Sequence, residues 1–381
     1  MKLRKTAMAL VSAAIALTAA TGLAGCGNDS GSTGGTASTG GTDTTAAGEA
    51  SSAPAVEVSD TLTVYTAMSE DELPAYTTAF KEATGITLET VRLSAGEMVT
   101  RITAEKENPQ AAVAWGGATD SYITLENAGL LDQYTSPEAA NFPSQFLDPN
   151  GYWSPIYVGA IAFACNQEWF AEHPDVAEPT SWADLTKAEF KGEIAMAHPS
   201  TSGTAYTVLA TIFQLMGGQD INSTASWDYM KALNANVTQY SKSGSAPVQA
   251  AAMGEVAVGV SFAHDILKVI AQGYKLDMTF PSDGTGTEVG AIALIHGGPA
   301  DELTAAQKFI DFVLSKEGQD LYAENNTYRD PVNPEAEVGE GVVTLDKLKV
   351  IDYDAKWAGD NKTTLIEMFQ EMVDDGSNVS S

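Results

Sequence analysis

The chain has 381 residues, 44% of them hydrophobic, so it is longer than one ordinary domain and apolar enough to bury a substantial core. Its 50 acidic and 20 basic residues give a formal net charge of −30 at pH 7. This charge excludes nucleic acid and anionic lipid surfaces as partners, because both repel such a chain unless it carries a basic patch, and no Lys/Arg cluster follows residue 5.

Residues 1–25 have the organisation of an export signal. A basic start leads into an apolar stretch that is too short to span a membrane with its flanks, and the sequence LAGC ends at Cys26. This ending resembles the bacterial lipobox, which implies cleavage before Cys26 and lipidation of that cysteine. The alternative is an ordinary signal peptide that happens to be followed by cysteine. The predicted location is outside the cytoplasm, at the periplasmic side or the cell surface, with a lipid anchor in the cell membrane.

A tether and a single further cysteine come next. Residues 26–56 are mostly Gly, Ser, Thr and Ala, a composition that predicts a flexible linker between a membrane and a globular body. Cys165 lies in the apolar run AFACNQ. If Cys26 carries lipid, no intrachain disulfide can form, and Cys165 is predicted to be a small buried hydrophobic residue rather than a nucleophile.

From Thr61 onward, short β-like runs alternate with amphipathic helical stretches. The first three strands are predicted in TLTVYTAM, ITLETVRLS and AAVAWGG, and a helix follows each of them. This βαβαβα order is typical of a mostly parallel, doubly wound sheet.

Two longer β-like runs share a pentapeptide. Residues 158–162 and 289–293 both have the sequence VGAIA. Small residues at matched positions suit two neighbouring strands with closely approaching backbones, so we predict two crossings between lobes that form a hinge. Chance similarity of two buried strands is the alternative.

Two further elements are predicted from the sequence pattern. The long run GYWSPIYVGAIAFACNQEWF is predicted to be a β-strand, and one amphipathic helix is predicted over residues 301–325.

A family resemblance runs from about Thr61 to the C-terminus. It is carried by the segments TLTVYTAMSEDELPAYTTAFKEATGI, VRLSAGEMVTRITAEKENPQAAVAWGGATDSYI, DPNGYWSPIYVGAIAFACN, HPSTSGTAYT and DPVNPEAEV. In this order they resemble the substrate-binding proteins of ABC importers, in the branch that holds ferric-iron, hexose-phosphate and 2-aminoethylphosphonate binders.

The resemblance implies an α/β type II periplasmic-binding-protein fold. Two α/β lobes would be joined by two crossing strands, with a ligand cleft between them. The chain would act as a monomer without a cofactor, binding a small solute and handing it to the permease and ATPase complex of an importer. The expected segments are a signal peptide (1–25), a lipidated cysteine and linker (26–56), the first part of lobe 1 (57–157), lobe 2 (158–284), a return to lobe 1 (285–335) and C-terminal helices (336–381).

An anion site is predicted where strands end and helices begin, because open α/β sheets bind small ligands there. The ligand-binding residues expected in the two lobes are Ser69, Ser94, Gly117, Thr119, Ser200, Thr201, Ser202, Gly203, Thr204 and Ser243. A helix N-terminus with surplus hydroxyl donors attracts a phosphate or phosphonate without Lys or Arg. A plain helix cap, which needs one hydroxyl, is the alternative.

His264, Asp265 and Glu288 are predicted to complete the site, because the strand VAVGVSFA delivers the first two to its carboxyl end. The resemblance to the hexose-phosphate binders implies that these side chains hydrogen-bond sugar hydroxyls. The ferric binders have a tyrosine pair at about this place, which this chain lacks. A phosphonate whose ammonium pairs with Asp265 or Glu288 also fits. Ferric iron or a polyamine is the alternative ligand, since the negative charge would attract either. Ordinary structural roles for the three residues are the alternative to a site.

A secreted phosphate-ester hydrolase is the alternative from a different class of function. Ser202, His264 and Asp265 do not suit a catalytic triad, because adjacent residues project in different directions. No G-x-S-x-G elbow or phosphate-binding P-loop occurs, and His173 and His296 lack metal-ligand spacing. We therefore predict a binding protein with no catalytic residues and no metal site.

Overall fold

The computed structural model describes residues 59–374, so the predicted lipidation site Cys26 and the linker 26–56 lie outside the described residues. Helices and strands alternate through this range. In chain order they are β1 (Thr61–Thr66), α1 (Leu73–Thr84), β2 (Thr87–Arg92), α2 (Ala95–Ala104), β3 (Val113–Ala118), α3 (Thr119–Asn127), β4 (Leu131–Asp132), β5 (Ser154–Asn166), α4 (Gln167–Glu172), β6 (Ile194–Ala197), α5 (Gly203–Gly217), α6 (Thr224–Asn234), β7 (Val237–Ser241), α7 (Ala246–Ala252), β8 (Val258–Phe262), α8 (Ala263–Ala271), β9 (Leu276–Thr279), β10 (Thr287–Ile295), α9 (Leu303–Leu314), α10 (Lys316–Glu324), β11 (Asp330–Pro331) and α11 (Ala355–Met372). Short 3-10 turns lie at Pro137–Asn141, Ser144–Phe146, Trp182–Thr186, Ala188–Phe190 and Leu345–Lys347. None of the helices within residues 59–374 has the length and apolar composition that a membrane span requires.

The strands form a mixed sheet in the order β2-β1-β3-β10-β5-β8-β6-β7. We call strands β1 to β3 with the helices that follow each of them the first flank, and strands β6 to β8 with the helices that follow each of them the second flank. In the first flank β1 pairs in parallel with β2 and β3, and in the second β6 pairs in parallel with β7 and β8. The central strands β10 and β5 run antiparallel to their neighbours. The parallel order predicted for the first three strands is confirmed, and the central strands are antiparallel because the chain there crosses from one flank to the other instead of forming a βαβ unit.

The two strands that carry the VGAIA runs, β5 and β10, lie side by side as predicted, but the runs themselves overlap only at Val158 and Val289. In the antiparallel register of β5 and β10, Val158 pairs with Val289 and Gly159 pairs with Glu288. The first half of β5 pairs with β10 and β11, and its second half pairs with β8 and β9, so one strand belongs to both flanks. The chain then returns from β9 to β10 along β5, where the Ile161 N–H donates to the Gly286 carbonyl at 3.1 Å. The hinge role of these crossings stays a prediction.

Each flank has its own apolar core. In the first, Phe309 packs edge-on against Trp115 with ring centroids 5.3 Å apart. In the second, Phe163 packs edge-on against Trp182 at 5.2 Å. Cys165 lies fully buried in the second core, and burial raises the pKa of its thiol to about 12. The prediction of a small buried hydrophobic residue is confirmed.

Two helix boundaries differ from the sequence prediction. The predicted helix over 301–325 is broken at Ser315, which leaves the helical conformation and accepts a hydrogen bond from the Gly318 N–H at 3.1 Å, so α9 ends and α10 begins there. Similarly, the end of the long predicted strand is helical, because Asn166 accepts from the Trp169 N–H at 2.7 Å and caps α4. In both places a capping side chain overrides a continuous apolar pattern.

The C-terminal helix α11 packs against both flanks. Lys362 is buried and donates to Asp120 Oδ2 at 3.0 Å and to Ser121 Oγ at 2.7 Å, both on α3. Its Nζ also lies 4.9 Å from the ring centroid of Tyr206 on α5, and the Tyr206 hydroxyl donates to the Ala358 carbonyl at 2.5 Å. One helix therefore contacts α3 of the first flank and α5 of the second.

Candidate functional site

Four helices of nine or more residues begin at one cavity that both flanks line. Their N-cap residues are Ser94 of α2, Ala118 of α3, Ser202 of α5 and Phe262 of α8, and all four line the cavity. It encloses about 550 Å³ of empty space, part of it open to solvent. Each helix start leaves backbone N–H groups without helical partners and carries about half a positive charge, so four donor-rich ends meet at this cavity.

The starts of α2 and α5 are in direct contact. The Gly96 N–H donates to the Thr201 carbonyl at 3.2 Å, and a side-chain carbon at Gly96 would collide with the carbonyl oxygen of Ser200. A carbon added at Gly203 would lie 3.5 Å from Ala95 Cβ. These small residues let the two flanks approach closely beside the cavity, which is a closed arrangement.

Hydroxyl groups surround the two helix starts. Ser94 forms a capping box with Glu97, in which Ser94 Oγ accepts from the Glu97 N–H at 3.3 Å and the Glu97 carboxylate accepts from the Ser94 N–H at 3.0 Å. Ser202 Oγ accepts from the Ala205 N–H at 3.3 Å. Both serines are therefore caps, as the alternative reading of these hydroxyls proposed. Their hydroxyl hydrogens are nevertheless able to donate to a bound anion.

The cavity brings together most of the predicted residues. Those that line it are Ser69, Ser94, Gly117, Thr201, Ser202, Gly203, Thr204, Ser243, His264, Asp265 and Glu288. Thr119 and Ser200 do not line it, which corrects the prediction for both. Thr119 is buried inside the first turn of α3, one residue beyond Ala118, and the Ser200 hydroxyl is hydrogen-bonded to His198 Nδ1 at 2.7 Å. A difference of one residue turns a side chain by about 100° on a helix, so composition alone does not tell which hydroxyl faces the cavity.

Three cationic side chains line the cavity in addition to the neutral donors predicted from the sequence. They are Arg92 at the end of β2, Lys242 after β7, and Arg329 before β11. No cluster of basic residues is visible in the sequence because the three positions are far apart along the chain. The available signal was their neighbourhood, since Arg92 and Lys242 lie within two residues of the predicted site residues Ser94 and Ser243.

Arg329 is the centre of a buried polar network. Its Nε and Nη2 donate to the two carboxylate oxygens of Glu72 at 3.0 and 3.2 Å, and both side chains are at most 4% exposed. Its guanidinium carbon lies 4.1 Å from the ring centroid of Tyr157, and Nη1 lies 3.2 Å from His264 Nε2. A fork-shaped guanidinium held on three sides is pre-organised, so this arginine has little freedom to move.

Two buried polar atoms beside this network lack partners. Within residues 59–374, neither His264 Nδ1 nor Glu288 Oε1 has a hydrogen-bond partner. A carbon added at Gly159, which pairs with Glu288 across the strands, would lie 3.4 Å from each of these atoms. We call the space that these two atoms share the Gly159 gap. Buried polar groups are normally hydrogen-bonded, so two unpaired atoms at one gap indicate a place for a polar ligand group.

Burial shifts the pKa values of Glu288, Asp265 and His264. It raises the pKa of Glu288 well above its usual range, although the Arg329 charge opposes this, and it also raises the pKa of Asp265. Burial lowers the pKa of His264 well below its usual value, and the positive charges of Arg329 and Lys268 lower it further. The imidazole is therefore neutral at neutral pH and acts as a hydrogen-bonding group.

A second cavity continues the first towards the surface. The two share Ser69, Arg92, Ser243, Ser245 and Asp265, and the outer one encloses about 800 Å³ of empty space. At its edge Lys268 of α8 forms an ion pair of 2.5 Å with Asp71, which precedes α1. No group of three or more His, Cys, Asp or Glu side chains in the described part of the chain is arranged to hold a metal ion.

The chain as a whole is similar to bacterial solute-binding proteins. Residues 75–348 match the family described as bacterial extracellular solute-binding protein. An uncharacterized protein of Haemophilus influenzae is 34% identical over 82% of this chain and 90% of its own length. The periplasmic binding protein AfuA of Actinobacillus pleuropneumoniae, solved with exogenous fructose-6-phosphate bound, is 35% identical, with a TM-score of 0.78 over 83% of this chain and 99% of AfuA. A putative 2-aminoethylphosphonate-binding periplasmic protein of Salmonella typhi is 27% identical over 65% of this chain and 70% of its own length.

Proposed function

The chain belongs to the bacterial extracellular solute-binding protein family, and we propose that it delivers a small phosphorylated solute, a hexose phosphate or a phosphonate, to an ABC importer. The likeness to AfuA confirms the type II periplasmic-binding-protein fold expected from the sequence. AfuA and the Salmonella typhi relative are both named as binding proteins, which supports a binding role over a catalytic one.

The observation that carries the proposal is the convergence of four helix N-caps and three cationic side chains on one cavity. A phosphoryl group is a compact dianion with acceptor oxygens only, and it is matched by backbone N–H donors at helix starts and by Arg and Lys. The donors also overcome the repulsion from a chain with a net charge of −30, because contacts at hydrogen-bond distance outweigh a screened long-range field.

The part of the solute that is attached to the phosphoryl group would meet His264, Asp265 and Glu288, which line the same cavity. Carboxylates accept hydrogen bonds from hydroxyls, and a neutral imidazole both donates and accepts. AfuA was solved with fructose-6-phosphate and the Salmonella relative is named for 2-aminoethylphosphonate, so both solute types occur among similar proteins.

Two features of the cavity disfavour ferric iron as the ligand: its three cationic side chains and the protonated hydroxyl of Tyr157, the tyrosine in its lining. Fe(III) prefers anionic oxygen ligands. Tyr157 lies under the Arg329 guanidinium, and burial raises the pKa of its hydroxyl well above the usual range, so it stays protonated. Three cations near the cavity also repel a trivalent metal ion.

The mechanism we propose is closure of the two flanks around the solute. Ligand contacts from both flanks favour the closed state, and the importer would recognise that state. The Gly96 to Thr201 hydrogen bond would form on closure. Cys26 would carry the lipid that anchors the chain in the membrane. Residues 26–56 would be the flexible linker that lets the solute-binding body reach the importer.

The test is calorimetry and thermal unfolding of the mature chain after unfolding and refolding to remove bound solute. The probes are glucose 6-phosphate, fructose 6-phosphate, 2-aminoethylphosphonate, glucose, inorganic phosphate, ferric citrate and spermidine. We expect a sugar phosphate or the phosphonate to stabilise the chain by about 2.7 kcal/mol at 100 times its dissociation constant, and glucose to have no effect.

Two controls make this result specific. Asp265→Asn should weaken binding of the same solute, whereas Asp175→Asn, an exposed aspartate with the same charge change, should not. Stabilisation by ferric citrate or spermidine alone would overturn the ligand class. Multiple turnovers of p-nitrophenyl phosphate that depend on Ser202 would overturn the binding role.

A further inference from the structure

The contact between Arg329 and His264 determines where the imidazole carries its proton. Arg329 Nη1 lies 3.2 Å from His264 Nε2. A guanidinium has N–H donors and no acceptor, so Nε2 must be the acceptor in this contact. The nearest carboxylate oxygens of Asp265 and Glu288 are 3.9 Å from Nε2, which is beyond hydrogen-bond distance. A neutral imidazole has one N–H, and here it is on Nδ1.

Neighbouring side chains hold the Arg329 guanidinium and the His264 imidazole in this orientation. Glu72 binds the other two nitrogens of the guanidinium, and the Tyr157 ring lies against its face. The imidazole is stacked on Phe262, with 19° between the ring planes and 5.6 Å between centroids. Neither ring nor guanidinium can rotate without breaking several buried contacts, so the assignment does not depend on a mobile side chain.

The Gly159 gap consequently presents one donor and one acceptor. The donor is His264 Nδ1–H and the acceptor is Glu288 Oε1, the two atoms without partners; Oε1 accepts whether the Glu288 carboxyl is ionised or carries its proton on Oε2. A hydroxyl group matches this pair, because it accepts one hydrogen bond and donates another. An ammonium group has only donors and would direct an N–H towards Nδ1–H. A phosphoryl oxygen has only acceptors and would face the acceptor oxygen Oε1 of Glu288.

We propose that Arg329, held by Glu72, is a positioning residue that keeps His264 in its Nδ1–H tautomer and so selects a solute hydroxyl over an ammonium at the Gly159 gap. The selection of a solute rests on the proposed function. The tautomer does not, because it is a property of the unliganded chain.

The first experiment is nuclear magnetic resonance of the mature chain with ¹⁵N-labelled histidine. The chain has four histidines, and the His264 signals are assigned by their loss in His264→Gln. Long-range ¹H–¹⁵N correlations distinguish the two neutral tautomers and the imidazolium. We expect the Nδ1–H tautomer, and either the Nε2–H tautomer or an imidazolium at pH 7 in the wild-type chain would overturn the proposal.

Variants at the ion pair test the role of Arg329. In Glu72→Gln combined with Arg329→Gln, an amide that both donates and accepts replaces the donor-only group without leaving a buried charge, so a mixture of tautomers is expected. Glu72→Gln alone keeps the arginine, and Arg329→Lys keeps a donor-only cation, so both should retain Nδ1–H. A double variant that still shows only Nδ1–H would overturn the role of Arg329. If the double variant does not fold, the wild-type spectrum and Arg329→Lys still decide the tautomer.

Binding of glucose 6-phosphate and fructose 6-phosphate gives the second readout. The double variant should lose about tenfold in affinity, corresponding to one lost hydrogen bond, while the exposed control Asp175→Asn stays within about threefold of the wild type. If the wild-type chain binds neither sugar phosphate, the proposed function fails while the spectra still decide the tautomer. If it binds one and the spectra show Nε2–H, only the positioning role fails.

Discussion

The backbone N–H of Gly96 donates to the carbonyl of Thr201 at 3.2 Å, which joins the start of α2 on the first flank to the loop before α5 on the second. Gly96 has no side chain, and an added carbon would collide with the Ser200 carbonyl oxygen. The closest approach of the two flanks beside the cavity therefore depends on one glycine. Closure of the cleft can be tested at this position.

Gly96→Ala should separate affinity from stability. Alanine favours the helix by about 0.5–1 kcal/mol over glycine, so the unliganded open chain should unfold at the same or a higher temperature. The added methyl opposes closure, and we expect affinity for the solute to fall by about 10- to 100-fold. Calorimetry and small-angle scattering with and without solute measure both effects. Gly339→Ala is the control, because its added carbon meets only ordinary contacts at 3.6 Å; an unaltered affinity in Gly96→Ala would contradict the contact.

Gly159→Ala should fill the Gly159 gap. The methyl would lie 3.4 Å from His264 Nδ1 and from Glu288 Oε1, which is an ordinary contact distance, so the fold should tolerate it. The methyl group would block a solute hydroxyl from hydrogen-bonding to these two atoms, and we expect the affinity for the solute to fall by about tenfold or more. Calorimetry tests the loss, and thermal unfolding of the unliganded variant checks that stability stays within about 0.5 kcal/mol of the wild type. Binding that is undisturbed would place the solute elsewhere in the cavity.

Arg92→Gln and Lys242→Gln should each weaken binding of a phosphorylated solute by about tenfold, because each removes a cation from the cavity lining. Each should also reduce the salt dependence of the affinity, which reports the charge that contacts the anion. Titrations of glucose 6-phosphate at several salt concentrations measure both. Lys231→Gln changes the net charge identically at an exposed site on α6, and it should bind as the wild type does; an equal loss in all three variants would indicate a long-range effect instead.

Lys362→Met should destabilise the chain by about 3–5 kcal/mol, because it leaves the buried Asp120 carboxylate without its cation. The double variant Lys362→Met, Asp120→Asn should lose less free energy of unfolding than Lys362→Met alone, because no buried carboxylate is left without a cation. Lys356→Met on the same helix removes an exposed pair with Asp360 and should cost at most about 0.5 kcal/mol. Chemical denaturation gives all three values. Similar small losses in both single variants would mean that α11 is not anchored through Lys362.

Asp330 should make stability fall as the pH rises from about 4 to about 6. Burial, and secondly the negative charge of Asp346, raise the pKa of Asp330 to about 6 in the folded chain from a usual value of 3.8. The folded state therefore binds this proton more tightly than the unfolded state, and deprotonation in that window removes stability. Asp330→Asn should remove this part of the pH dependence and stabilise the chain above pH 6 by about 1–2 kcal/mol. Denaturation at pH 4 and pH 7 tests it against the exposed control Asp175→Asn, which should keep the wild-type difference between the two pH values.

The order of the helices and strands and many of the residues that line the cavity could be predicted without the structure. Strand and helix periodicity extends over four to fifteen residues, so TLTVYTAM and the run after HPSTSGTAY could be recognised without the fold. The strands that carry the two VGAIA runs were predicted as neighbours, and β5 and β10 do pair, although not with the small residues of the runs opposite each other. Helix starts at strand ends predicted Ser94, Ser202 and Gly203 as lining residues because α/β sheets place ligands there.

The contacts between side chains that are distant in the sequence could not be predicted in this way. Arg329, Glu72 and His264 are far apart in the chain, and their contact exists because β5 carries the chain from one flank to the other and β11 pairs with it. The same is true of the three cations at the cavity, which no local pattern brings together. Thr119 and Ser200 are one residue from lining positions, and only the helix turn and the His198 contact turn them away. Local pattern encodes backbone conformation, whereas the direction of a side chain and its distant partners depend on how the whole chain packs.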